Sequence, residues 1–269
     1  MTESVIVQYI VLCLAALAVS GLTLFSGFGL GTLLMPVFAI YFPIEIAVAM
    51  TAVVHLANNL FKLGLLWRQA DIQVVVRFII PGAIMAVIGA LILTKLSDLP
   101  VLASYTIGSR IFEVEIIKLV VGGLIFLFAL LELVPSLEAQ IKFDRKYLPL
   151  GGALSGFFGG ISGHQGALRS AVLIKCGLEK EAFIATGVVC GVIVDFSRLI
   201  IYGTIFFTRH FNQIIEAGGI RLIGVVTLAA FIGAFTGKRF MKKVTLRAVQ
   251  LIVGIGLLIL SIGLVTGLI

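Results

Sequence analysis

Ser162-Gly163-His164-Gln165-Gly166-Ala167-Leu168-Arg169 is a polar, glycine-broken interruption in a chain that is otherwise almost wholly apolar. An arginine, a histidine and an amide side chain can together hold the oxygens of a small anion. Where a helix restarts, its first backbone N–H groups are unpaired and its dipole end is positive, which adds to the same chemistry. Inside a bilayer, irregular backbone survives only where protein covers it or where it lines a wet cavity. An arginine at that depth costs about 2.5–3.5 kcal/mol on insertion scales, so it is normally kept for a reason. Gly163, His164, Gln165, Gly166 and Arg169 are therefore expected to form half of a binding site for a small anion in a polytopic transporter. The plainer alternative is a packing kink, with Arg169 reaching along its stem to the headgroups.

A second glycine break lies in the first half, Gly27-Phe28-Gly29-Leu30-Gly31, followed by Thr32 and by Pro36 inside a short apolar run. Gly29, Gly31 and Thr32 are expected to supply the opposing half of the site. Two facing helix restarts plus Arg169 would place an anion near the midplane, where transporters with inverted repeats bind substrate.

Two polar stripes run beside these breaks. Thr51, His55, Asn58, Asn59 and Lys62 fall on one face of a helix over 44–66. Such a stripe faces a bundle interior or a cavity. Asn58 and Asn59 are read as lining the substrate path, with inter-helix hydrogen bonding as the structural alternative. Lys62 either serves the site or snorkels from the helix end. The second stripe holds Gly187, Gly191, Asp195, Arg198 and Tyr202. Its glycines are expected to allow close packing, and Asp195 and Arg198, three residues apart, can pair. His55, Asp195 and Arg198 are the candidates for proton coupling or gating.

Composition fixes the setting for these residues. Hydrophobic residues make up 60% of the 269 and charged residues 12%, with mean hydropathy +1.20. A soluble domain carries about 25% charged residues, so the chain is expected to be an all-α polytopic membrane protein whose partner is the lipid bilayer. The net charge of +7 does not point to nucleic acid, because the basic residues sit in short loops between apolar runs. The first run follows Glu3 and no Lys or Arg, so it is read as retained structure and not as a signal peptide. Cys13, Cys176 and Cys190 are isolated and read as small core residues, with no metal spacing. No cofactor is expected. Oligomeric state is left open, a homo-oligomer included.

Apolar runs occur at 4–25, 31–42, 44–66, 73–95, 114–134, 147–161, 166–177, 180–207, 214–236 and 244–268. The runs at 31–42 and 166–177 are too short to span alone, which leaves either six full crossings plus hairpins or ten crossings. A shift of 135 residues, half the chain, lays Thr51 on Thr186, Ala47 on Ala182, Phe61 on Phe196, Gly21 on Gly156 and Gly31 on Gly166. Two membrane repeats, 1–134 and 135–269, are expected, joined at the polar stretch 138–146.

Basic residues then orient the chain. One side of the membrane receives Arg68, Arg77, Lys142, Arg145, Lys146, Lys175, Lys180, Lys238, Arg239, Lys242, Lys243 and Arg247; the other receives Lys95, Arg110 and Arg209. The richer side is the cytoplasmic one. Both termini then face outward, and an odd number of crossings per half makes the repeats inverted.

The Gly27–Gly31 run with Pro36 after four intervening residues, the Ala49-Met50-Thr51 that follows, and the degenerate second copy at 159–171 resemble the TauE/SafE (TSUP) family of sulfite exporters. That resemblance implies a bacterial or archaeal inner-membrane carrier of small sulfur-containing anions such as sulfite, thiosulfate or organosulfonates. The second break departs from the usual form, having Gly163-His164-Gln165-Gly166 and Ala171 where the family commonly closes on proline. Rival readings are an anion channel, a carrier of a carboxylate, and an intramembrane enzyme using His55 or His164 with Asp195. The enzyme lacks a Gly-x-Ser-x-Gly or His-Glu-x-x-His motif, so no catalytic activity is expected.

Overall fold

A computed structural model describes residues 3–23, 30–134, 145–208, 219–240 and 246–269. The apolar runs become ten α-helices among these residues: α1 (Glu3–Thr23), α2 (Leu30–Ala39), α3 (Ile44–Leu66), α4 (Ile72–Ser97), α5 (Ile116–Leu133), α6 (Leu148–Ser162), α7 (Gln165–Leu173), α8 (Lys180–Tyr202), α9 (Gly219–Phe240) and α10 (Leu246–Val265). Five of them are long and apolar enough to cross a membrane: α3, α4, α5, α8 and α9. With no water in the hydrocarbon, every backbone polar group must be satisfied within the protein, and helices do this residue by residue.

The outer faces suit lipid. On α4 the exposed large apolar side chains are Ile72, Val76, Ile80, Ile84, Ile88 and Leu91, a stripe at spacings of three and four. The opposite face of α4 buries Val74, Val75, Phe78, Gly82, Ala86, Gly89, Ala90 and Leu93. The chain is an all-α multi-pass membrane protein.

Two glycine-lined helix pairs hold the bundle together. Helix α4 packs on α6, and α1 packs on α9. A Cβ placed on Gly152 or Gly156 would overlap the carbonyl of Phe78 or Gly82 on α4. The second pair is built alike, since a Cβ on Gly233 or Gly237 would overlap the backbone of Leu17 or Gly21 on α1. Without a hydrophobic drive between helices in lipid, such close backbone approach through small residues is what makes association favourable. Further pairings join α5 with α10 and α8 with both α3 and α4.

Local signals set the helix ends. Asp71 caps α4, its side chain accepting from the N–H groups of Gln73 and Val74 at 3.0 and 3.1 Å. Its own N–H donates to Thr186 Oγ1 at 2.9 Å, tying the start of α4 to α8. At the helix-pair ends α5 and α10, the Arg247 guanidinium donates to the carbonyls of Glu132 and Leu133 at 3.0 and 2.8 Å. A cation on the last carbonyls of a helix complements its dipole.

One element was not expected from the apolar runs. Between α4 and α5 the chain forms a hairpin of β1 (Val101–Ile107) and β2 (Arg110–Glu115). Its two-residue turn starts with Gly108 at φ +62°, the sign that a glycine-first hairpin turn requires. Tyr105 stacks on Phe112 at 5.5 Å and donates its hydroxyl to the Thr266 carbonyl at 2.5 Å, docking the hairpin on the end of α10.

The α4–α6 contact gives a direct test. Gly156→Val is expected to abolish the fold or lower detergent-solubilised stability by about 3 kcal/mol or more, because backbone and not a yielding side chain opposes the new atoms. Gly224→Ala, where nothing lies within 4 Å, is expected to be tolerated or slightly stabilising by helix propensity. Thermal unfolding with size-exclusion monodispersity reads both.

Candidate functional site

The break between α6 and α7 is where the bundle core becomes polar. Helix α6 ends on Gly163, whose φ of +81° is left-handed, and whose N–H donates to the Gly159 carbonyl at 3.0 Å. Only glycine takes that conformation without strain. Side chains from α6, α8 and the break itself meet the carbonyls around it. Arg198 Nη1 donates to Gly159 O at 2.8 Å, and the Tyr202 hydroxyl donates to Gly160 O. Ser155 Oγ donates to Gln165 O at 2.9 Å. His164 Nδ1 donates to Ser162 O at 2.8 Å, which fixes its proton on that nitrogen. Its ring stacks on Phe128 with centroids 5.6 Å apart, and its Nε2 is buried with no hydrogen-bond partner among the described residues.

The first-half break meets the second here. Gly31, at the start of α2, lies so close that a Cβ on it would stand 3.4 Å from the Gly163 carbonyl and 3.5 Å from the His55 ring. Thr32 is buried in the same turn. The two helix restarts therefore share one locality with His55.

A single carboxylate organises the centre. Asp195 on α8 is fully buried. Its Oδ1 accepts from Arg198 Nε and Nη2 at 3.1 and 2.7 Å and from Gln165 Nε2 at 2.7 Å. Its Oδ2 accepts from His55 Nδ1 at 2.5 Å. Charge-assisted bonds of this length are the strong ones. They join α3, α7 and α8 at one residue. The Asn59 amide lies against the same imidazole, its Nδ2 3.2 Å from His55 Nδ1 and 3.5 Å from Nε2.

Arg169 is bound into the same network through Gln165, its Nη1 donating to Gln165 Oε1 at 3.2 Å. Arg169 is 3% exposed, so its side chain is enclosed by the bundle and does not extend from it. Room for it comes from α8. A Cβ on Gly191 would stand 2.8 Å from Arg169 Nη1 and 2.9 Å from Asn59 Nδ2. Gly191, read from sequence as a packing glycine, is thus the residue that lets a guanidinium and an amide approach each other. The motif signal for it was only its place on the Asp195 stripe.

The remaining expected residues distribute as follows. Gly163, His164, Gln165 and Gly166 all lie at the break, buried. Asn58 turns away, to Ser20 on α1, whose hydroxyl donates to Asn58 Oδ1 at 3.3 Å. Gly29 lies outside the described residues. Lys62 is 7% exposed, largely covered by the bundle along its length. Tyr202 and Gly159 were not singled out as break-capping groups, since their meeting depends on α8 crossing α6. Among the described residues, no three His, Cys, Asp or Glu side chains gather as a metal would need.

Removing one partner of a buried ion pair leaves an uncompensated charge, at a cost of about 3–5 kcal/mol. Asp195→Asn is expected to destabilise the protein by that order, while Arg198→Lys, which keeps the charge but loses the fork, costs less. Detergent thermal unfolding of the two variants checks the ranking.

The chain was then compared with known proteins. Neither the curated proteins nor the solved structures give a match. The family model described as sulfite exporter TauE/SafE matches residues 12–264. That span takes in α2 to α9 whole, the second half of α1, α10 but for its last residue, and all of the polar centre built above. The members of this family are transporters and not enzymes. Nearly the whole chain is covered, and the chain belongs to the sulfite exporter TauE/SafE family.

Proposed function

We propose that this protein exports a small sulfur-containing anion, such as sulfite, thiosulfate or an organosulfonate, by alternating access of two inverted repeats. One observation carries the reading: a buried arginine, Arg169, is held by Gln165 on the first turn of α7, beside the meeting of Gly163 with Gly31. Helix restarts supply backbone donors at Gly31-Thr32 and Gly166-Ala167, and Arg169, His164 and Gln165 supply side chains. The unfilled Nε2 of His164 offers one more contact to an anion that carries a proton, or donates once protonated itself.

The pairing of helices supports the inverted repeat. Helix α4 grips α6 through glycine-lined backbone contact, and α9 grips α1 in the same way, with Gly156 and Gly21 in corresponding places. Each half thus lends its fourth helix to the first helix of the other. The polar centre lies on α3, α7 and α8, between these rigid pairs, which is where a rocking motion would expose it to either side in turn.

His55, Asp195 and Arg198 give this site a way to sense a proton. A proton taken up by the His55–Asp195 pair weakens the hold of Asp195 on Gln165, and through Gln165 on Arg169. The protein works in a bacterial or archaeal inner membrane with its Arg145 side in the cytoplasm and both termini outside. The contact of Arg145 with Asp71 at 3.8 Å, beside the Asp71–Thr186 bond, supports one basic end for α4 and α8.

Arg169→Ala is expected to abolish sulfite efflux from proteoliposomes while leaving a monodisperse protein. In a thermal-shift titration, sulfite at a hundred times its Kd raises wild-type stability by about 2.7 kcal/mol, and the variant shows none of this. Normal efflux by Arg169→Ala would remove the site from this locality. A cysteine placed before Glu3 is expected to react with an impermeant maleimide in intact cells, and one placed at Arg145 is expected not to.

A further inference from the structure

Thr51 carries a hydroxyl that the fold leaves idle. It is 1% exposed, and its Oγ1 has no hydrogen-bond partner among the described residues. Hydroxyls inside helices commonly donate to a carbonyl one turn back. Thr94, Ser162, Ser197 and Ser261 do so here, at 2.7 to 3.0 Å. A buried polar atom left unpaired is costly, so each one calls for a reason.

Its counterpart in the second half is engaged. The shift of 135 residues that relates the halves lays Thr51 on Thr186. Each sits about two turns from the start of its helix, α3 or α8, and these helices pack on each other. Thr186 is fully buried, and its Oγ1 accepts the N–H of Asp71 at 2.9 Å. That N–H belongs to the segment after α3, just past the 3-10 turn Trp67–Gln69, which packs on α8. Asp71 also caps α4, so the bond ties the α4–α6 pair to α8.

The mirror contact is half built. The same shift lays Asp71 on Phe206, within the π turn Gly203–Phe207 that follows α8 and packs on α3. Such turns are rare and recur at functional sites. One end of the bundle therefore has its threonine bonded to the segment that follows the partner helix. The other end has the matching threonine and the matching segment, without the bond.

We propose that Thr51 and Thr186 are alternate latches of the transport cycle. The Thr186–Asp71 bond holds the Asp71 end of the bundle shut in the state seen here. When the opposite end shuts, Thr51 accepts the backbone N–H of Phe206 and Thr186 releases Asp71. One bond is exchanged for an equivalent one, so the hydroxyls hold each state without trapping either. Both threonines are positioning residues, acting through the helices and not by touching the anion. The proposal rests on the reading of two inverted repeats in alternating access, and names the residues that hold each end.

Labelling one cysteine from either face of the membrane tests this without a substrate. Thr32→Cys, at the first break, is placed in a chain with Cys13, Cys176 and Cys190 replaced by alanine. An impermeant maleimide is then applied to right-side-out and inside-out vesicles. Loss of one hydrogen bond moves a two-state equilibrium by about fivefold. Thr51→Val withdraws the acceptor from the opposite state, so the labelling ratio is expected to move by about that factor toward the face opposite Asp71. Thr186→Val is expected to move it by a similar factor toward the Asp71 face. Thr51→Ser and Thr186→Ser, which keep the oxygen, hold the wild-type ratio. Thr51→Val is also expected to unfold at no lower temperature than wild type, because its hydroxyl is idle in this state. Movement in the same sense in both valine variants, no movement in either, or a Thr51→Val protein that does not fold overturns the latch and leaves alternating access in place. Labelling confined to one face in every variant overturns alternating access together with the latch. A wild type that labels from both faces but exports no sulfite overturns the anion reading alone.

Discussion

A helix broken inside a membrane must have its freed carbonyls and amides answered by the protein, and in this fold the answer runs through the Asp195–Arg198 ion pair. Arg198 spends two of its donors on Asp195 and a third on the Gly159 carbonyl at the end of α6. Without Asp195 the guanidinium would be a lone buried charge, and without Arg198 the buried carboxylate would lose its cation and the Gly159 carbonyl its second donor. The same carboxylate fixes His55 and Gln165. The irregular backbone, the histidine and the arginine-holding amide thus share one electrostatic anchor, fully buried. Disturbing that anchor disturbs all three.

Glycine does the complementary work of making room. On α6 it lets α4 approach to backbone contact, and on α9 it does so for α1. These contacts have backbone on both sides and little freedom to adjust, which suits helices that move as rigid pairs. On α8 the role differs. Gly191 opens space for the Arg169 guanidinium and the Asn59 amide, and a side chain there would occupy the place where these donors converge. The fold therefore uses glycine in two ways, against backbone in the packed helix pairs and against the polar side chains of Arg169 and Asn59 on α8.

Much of this was readable before the structure. The runs of apolar residues coincide with the helices to within a few residues, because in lipid the length and hydropathy of a run leave few other conformations. The two glycine breaks and the stripe from Thr51 to Lys62 were visible as violations of that uniformity. What could not be read was the choice of partners. His55 and Asp195 are 140 residues apart, and only the packing of α3 on α8 brings them together. Asn58 and Asn59 look equivalent in sequence, yet one residue of helix rotation sends one to Ser20 on α1 and the other to His55. The hairpin at 101–115 was passed over because helix-length runs dominate the chain, although its Gly108-Ser109 turn and flanking alternation carry a hairpin signal. Lys62 shows the same limit: its type and place near a helix end do not reveal that the bundle covers most of it.

The central claim is that an anion sits against Arg169, where the two helix restarts meet. Its position can be seen directly by crystallising the protein with selenite, the heavier congener of sulfite, and mapping the anomalous scattering of selenium. The account predicts one strong peak within hydrogen-bond reach of the Arg169 guanidinium, between Gly31 and Gly166. A peak elsewhere in the bundle, or none at a selenite concentration that inhibits sulfite efflux, would contradict it.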